Sequence, residues 1–365
     1  MTWLARRDPA LLTNRQAMIG LLACVAAIRL GAFVAFRPVF DFVATGAIHG
    51  SGAYDMYARN LLATGVYGLT RGVPDAVLPP AYAAALAVVY RMVGRGALQV
   101  VLLNVALDLV ACLMLQRIGE RLFPQGRTVG TLGAACTAFY PYLVFQSLTV
   151  IDTSLFTALL YVLLALTVEL RDARNRVTAW AIGALAGLVL GLALLTRPIL
   201  APLVLVVWWW LGMWRGWRPA TSRLLPVVLA ASVVVAPWVV RNARVVGASG
   251  AITTNGGSNL WQGNNPETVA YLQAGYDVQW IAPQPIAAPD PLGPDADREL
   301  FSRAIQYLWT HPAAIPALVW TKLLVHWSID VAPGANPAPA GERGESGSAV
   351  TARADVGRGV SLSGL

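Results

Sequence analysis

Long uninterrupted apolar blocks dominate this chain. They fall at 17–36, 98–116, 128–148, 153–170, 178–196, 198–214, 224–240 and 314–330. A membrane-crossing helix needs about 20 mostly apolar residues, because each backbone polar group must find its partner inside the helix. The pattern therefore predicts an all-α, polytopic transmembrane helix bundle of about eight spans. Another apolar stretch, 81–93, follows Pro79-Pro80. At about 13 residues it is short for a span and suits a re-entrant or interfacial helix.

Composition agrees. Hydrophobic residues make up 56% of the 365 and charged ones 13%. A soluble domain of this length needs about 25% charge to cover its surface. The net charge of +8 comes from arginines in short loops between apolar blocks, with Lys322 the only lysine. In such loops arginine sets topology, and no stretch mixes basic and aromatic residues into a nucleic-acid surface. Cys24, Cys112 and Cys136 lie within apolar blocks without CxxC spacing, which argues against a disulfide framework or a zinc site. The first block follows Arg6, Arg7 and Arg15 and reads as a signal anchor.

Placing the N-terminus in the cytoplasm and 81–93 outside the span count puts three basic loops inside. They carry Arg117, Arg121 and Arg127, then Arg171, Arg174 and Arg176, then Arg215, Arg218 and Arg223. Trp208, Trp209, Trp210, Trp214 and Trp217 would form an inner aromatic belt. Segments 37–97 and 245–310 then face outward within a membrane domain over 1–331. The tail, 332–365, is poor in core-forming residues and reads as disordered.

The outer segments hold most of the candidate chemistry. Tyr54, Tyr57, Ala58, Leu61 and Leu62 lie at helical spacing and Gly65 stops the run, which predicts an amphipathic surface helix. Asp55 and Arg59 are four apart on a neighbouring face, either a surface ion pair or a carboxylate kept ionised as a base or metal ligand. Asp152 opens a span, as an N-cap or as a second acid at the outer surface. Arg197, Arg241, Arg244 and Lys322 run against the positive-inside trend; they either bind phosphate or snorkel to the interface. Asp108 lies mid-span beside Asn104 and reads as an interhelical hydrogen-bonding group. The turn-rich runs 255–259 and 263–266 could line a polar pocket, while His49, His311 and His326 are too scattered for a metal site.

Four passages carry a resemblance. The first is Tyr54-Asp55, then Ala58-Arg59-Asn60-Leu61-Leu62, Gly65-Val66-Tyr67 and Leu78-Pro79-Pro80-Ala81-Tyr82. The second is Arg121-Leu122-Phe123, Phe139-Tyr140-Pro141 and Asp152-Thr153-Ser154-Leu155-Phe156. The third is Gly187 and Gly191 leading to Leu195-Thr196-Arg197-Pro198. The fourth is Pro237-Trp238, Arg241-Asn242, Thr254 to Trp261 and Gly263 to Pro266. In order and spacing they resemble the polyprenyl-phosphate-sugar-dependent membrane glycosyltransferases. This C-type superfamily includes protein mannosyltransferases and the aminoarabinose transferases of lipid A.

The resemblance implies an inverting glycosyltransferase of the bacterial inner membrane, with its active site on the outer, periplasmic side. It would move a sugar from a polyprenyl-phosphate donor to a hydroxyl of a lipid, glycan or protein acceptor. A first-loop carboxylate would act as general base, and basic side chains or a divalent cation would steady the leaving phosphate. Relatives carry an acid three or four positions before the tyrosine matching Tyr54. Here Gly50 and Ser51 stand there, which leaves the base to Asp55 or Asp41 with Asp152 as a second acid. Arg59, Arg197, Arg241 and Lys322 are the phosphate-binding candidates. Relatives also continue into further hydrophobic helices, so the tail reads as a truncation, a frameshift or a natural ending. The alternative is a non-catalytic relative serving as a scaffold or lipid-carrier transporter.

Overall fold

The computed structural model describes residues 14–46, 52–276, 278 and 290–327. Expectations for Arg6, Arg7, His49, Gly50, Ser51 and the tail 332–365 lie outside these residues. The regular structure among the described residues is helical. It divides into two compact units between Ile252 and Thr253, a boundary inside the expected second outer segment.

The first unit holds α1 (Asn14–Ala35), α2 (Gly52–Thr64), α3 (Pro80–Val93), α4 (Ala97–Leu122), α5 (Gly126–Ala138), α6 (Pro141–Ser147), α7 (Thr153–Asp172), α8 (Arg176–Leu194), α9 (Leu203–Arg215) and α10 (Trp217–Arg241). Six helical stretches among the described residues are long and apolar enough to cross a membrane. They are Gln16–Ala35, Ala97–Leu122, Thr153–Asp172, Arg176–Leu194, Pro198–Arg215 and Trp217–Val246. The chain is thus an α-helical, multi-pass membrane protein.

The expected span 128–148 is broken. α5 and α6 meet at a bend of 66°, and counting them as one span raises the total to seven. The cause is local. Pro141 has no N–H to continue the ladder, and Tyr140 before it takes the extended conformation that a following proline favours (φ −64°, ψ 116°). The expected eighth span, 314–330, is described as a helix only over Ile315–His326, 12 residues.

The stretch after Pro79-Pro80 forms the expected short helix. Proline occupies the first position of α3, where its missing N–H is not needed, and Gly94 ends it at φ 85°. α3 is not a surface element, however. Tyr82, Ala83 and Leu86 are fully buried, and its core partners include Phe33 of α1 and Val100, Val101 and Val105 of α4. A second core joins α7, α8, α9 and α10 through Leu163, Leu170, Ala186, Leu190, Leu211 and Val227.

Close approach of α8 to α10 depends on small residues, as in many helix pairs in lipid. A Cβ on Gly187 would stand 2.3 Å from the Val227 carbonyl oxygen, and one on Gly191 2.5 Å from Val234 Cβ. Both clashes are with backbone or a stiff β-branched side chain. Gly187→Val should therefore destabilise by about 1–3 kcal/mol, read as a lower unfolding midpoint in detergent.

The second unit contains α11 (Gly256–Gly263), α12 (Thr268–Gln273), α13 (Pro294–Thr310) and α14 (Ile315–His326). The Asp297 carboxylate accepts hydrogen bonds from the Gly257 and Ser258 amides at 2.6 and 3.2 Å, which fixes the start of α11 against α13. Burial nevertheless raises the Asp297 pKa, because it penalises the charged form more than the two amides favour it.

Candidate functional site

Polar side chains gather at one end of the first unit, around the start of α7. Asp152 sits at the N-cap position of that helix without capping it. Its carboxylate turns instead to Arg197, 45 residues away, and is gripped at both oxygens: Nε to Oδ2 at 2.9 Å and Nη2 to Oδ1 at 2.7 Å. Arg197 Nη2 also donates to Thr153 Oγ1 at 2.9 Å, and the guanidinium lies 5.0 Å from the Phe156 ring centroid. Arg197 is extended (φ −144°, ψ 102°), as suits a residue before proline, which lifts its side chain out of the α8 direction.

Tyr54 lies close to Asp152, and burial and that carboxylate together hold Tyr54 well above the usual phenol range. Tyr54 packs edge-on to Tyr82 at 5.2 Å, and Tyr82 donates to Asn104 at 3.1 Å. Asn104 in turn caps the carbonyls of Ser147 and Thr149. Ala81 N donates to the Leu195 carbonyl at 3.0 Å, seating the start of α3 against the end of α8. Segments far apart in the chain thus meet around one carboxylate.

Asp55, next to Tyr54 on α2, points into a second centre. The expected pair with Arg59 forms at 3.0 Å. Yet Asp55 is only 3% exposed, so it is not a surface group. Arg95 holds it in fork geometry, Nε to Oδ1 at 2.8 Å and Nη2 to Oδ2 at 2.9 Å, and Tyr90 donates at 2.9 Å. Hydrogen bonding to Asp55 raises the Arg95 pKa further. Arg95 also stacks over Phe42, 5.2 Å from its centroid, which brings this centre beside Asp41. Asp41 itself is lightly held. Among the described residues its one ion pair is with exposed Arg37 at 3.4 Å, across two short helical turns.

Of the remaining candidates, Arg241 donates to the Asp75 and Tyr67 carbonyls at 2.6 and 2.8 Å and stacks on Trp238. It ties α10 to the loop between α2 and α3, where Tyr57 and Tyr67 stack and Tyr57 donates to Asp75. Lys322 belongs to the second unit and donates to Asn264 Oδ1 at 2.9 Å. Arg59 is the most open of the arginines on Asp55. Among the described residues no group of three or more His, Cys, Asp or Glu could hold a metal ion.

Sequence reasoning overlooked two arginines. Arg95 lies in the segment expected to face outward, and it clamps Asp55. Arg29 lies inside the first span, where an ionised group has to face a partner. It is 1% exposed and pairs with Asp108 at 2.7 Å, and Ser147 bridges both. Asp108 is thus half of an intramembrane ion pair, a stronger tie than the interhelical hydrogen bond expected. Opposite charges inside two separate apolar blocks were the signal for it.

No family model, curated protein or solved structure matches this chain.

Proposed function

We propose that the protein is an inverting membrane glycosyltransferase that takes a sugar from a polyprenyl-phosphate donor at the end of the bundle marked by Asp152 and Arg197. One observation carries this reading. Parts of all four passages on which the resemblance rests come together in the first unit: Tyr54 and Tyr82 near Asp152, Arg197 with Asp152, the α3 start with Leu195, and Tyr67 with Trp238 and Arg241.

In this reading Asp41 is the general base. Asp55 and Asp152 have both oxygens engaged by guanidinium forks, whereas among the described residues Asp41 meets one exposed arginine at 3.4 Å and can accept a proton from an acceptor hydroxyl. Arg59, partly exposed, and Arg197 supply positive charge for the leaving phosphate. Asp55 and Asp152 hold those cations in place. The bond from the anomeric carbon to the donor phosphate oxygen breaks as the acceptor oxygen attacks, and the phosphate leaves with its electron pair.

The forks on Asp55 and Asp152 also suit a second reading, a non-catalytic scaffold whose acids serve only to join helices. Incubating membranes with radiolabelled polyprenyl-phosphate sugars and mixed lipid acceptors separates the two. Label transferred to an acceptor supports the enzyme. No transfer from any donor, by protein that is folded and membrane-inserted, supports the scaffold.

A further inference from the structure

The opposite end of α7 carries a second charged centre that the glycosyltransferase reading does not use. α7 runs from Thr153 to Asp172, 20 residues, so its two ends are about 30 Å apart, the thickness of a hydrocarbon core. At the far end Asp172 is held by Arg171 at 2.7 Å. Arg121 and Arg215 also stand close enough for their charges to act on this carboxylate.

Two arginines close the end of the helix. Arg215 donates to the Arg171 carbonyl at 2.6 Å, and Arg223 donates to those of Leu170 and Ala173 at 3.2 and 3.1 Å. These bonds satisfy carbonyls but bring no opposing charge, and Arg215 lies near enough to repel Arg223. Among the described residues the other acids at this end are taken, Glu169 by Arg117 and Glu120 by Arg127. Among the described residues, Arg121, Arg174, Arg215, Arg218 and Arg223 have no carboxylate in ion-pair range. The Arg171 guanidinium lies 5.4 Å from the Trp210 ring centroid and 5.2 Å from that of Trp214. Trp209, Trp214 and Trp217, on α9 and at the start of α10, are exposed, as tryptophans are at the headgroup level of a bilayer.

We infer that this end of α7, with the end of α4, α9 and the start of α10, binds the phosphate of an anionic phospholipid headgroup. A surplus of guanidinium groups without carboxylates, at the depth where spans leave the hydrocarbon, matches a phosphodiester in charge, position and fork geometry. Free phosphate shares the charge. It lacks the acyl chains that would lie along the apolar faces of Leu205 and Trp209, both exposed.

The test uses full-length protein in nanodiscs of phosphatidylcholine doped with phosphatidylglycerol, followed by native mass spectrometry of retained lipid. Phosphatidylglycerol should be retained over phosphatidylcholine. Each arginine near the surface is worth about five-fold in affinity, so Arg121→Gln with Arg218→Gln should weaken retention by about 25-fold. Neither side chain closes the end of α7, and the matching pair of lysine substitutions, which keeps the charge, should restore most of the retention. Equal retention of the two lipids would overturn the inference, as would wild-type retention by the glutamine variant. Displacement of the lipid by an equal concentration of inorganic phosphate would also overturn it, by making this a site for a free anion.

Discussion

Arg29→Met should lower the stability of the first unit by about 3–5 kcal/mol, because it leaves the Asp108 carboxylate in the membrane interior without a counter-charge. Arg29 is almost wholly buried, and its Nε serves both Asp108 Oδ2 and Ser147 Oγ. Ser147 donates on to Asp108 at 2.5 Å, so one arginine joins α1 to α4 and to the end of α6. Removing both charges should be far milder than removing one. Arg29→Met combined with Asp108→Leu is expected to recover most of the loss, since a desolvated pair contributes little net stability over apolar residues of similar volume. The measurement is the unfolding midpoint of the single and double variants in one detergent. A double variant as unstable as Arg29→Met would show that Asp108 is not the partner that matters.

The second large effect falls on Arg197. Arg197→Leu should reduce sugar transfer by at least about 100-fold, the scale on which a single positioned charge donor affects a transition state. It should also destabilise by about 2 kcal/mol, because Asp152, 4% exposed, loses its fork. Arg197→Lys divides the two consequences. The lysine keeps the charge and loses the planar fork, so stability should be nearly retained while transfer falls part of the way. Initial rates and unfolding midpoints of the same preparations provide both readings. Full transfer activity in Arg197→Leu would remove this arginine from the phosphate site.

Much of the membrane architecture was legible because hydrophobic block length is set by bilayer thickness and needs no tertiary information. The short α3 was readable for the same reason, with Pro79-Pro80 and Gly94 marking its ends. Its burial was not readable, since a short apolar helix has the same pattern on a surface and in a core. The break at Tyr140 was signalled by Pro141, but the apolar block continues across it, and hydropathy alone read one span.

The site was less legible because its contacts span long chain separations. Asp55 meets Arg59 locally, which the i,i+4 rule catches, but the stronger fork comes from Arg95, 40 residues on. Asp152 looked like an N-cap because local sequence favours that role; tertiary pairing with Arg197 overrode it. Arg29 went unnoticed because one charge barely changes the hydropathy of a long apolar block. Charges inside spans carry more information about partners than charges in loops.

The most direct test of the account is the initial rate of sugar transfer in proteoliposomes, comparing wild type with Asp41→Asn, Asp55→Asn and Asp152→Asn on the donor the wild type accepts. The expected result is transfer by the wild type and a loss of at least about 100-fold in Asp41→Asn, the size of a general-base contribution, with folding unchanged. Asp41→Asn that transfers at the wild-type rate would contradict the assignment of the base, and a wild type that transfers no sugar from any polyprenyl-phosphate donor would contradict the function itself.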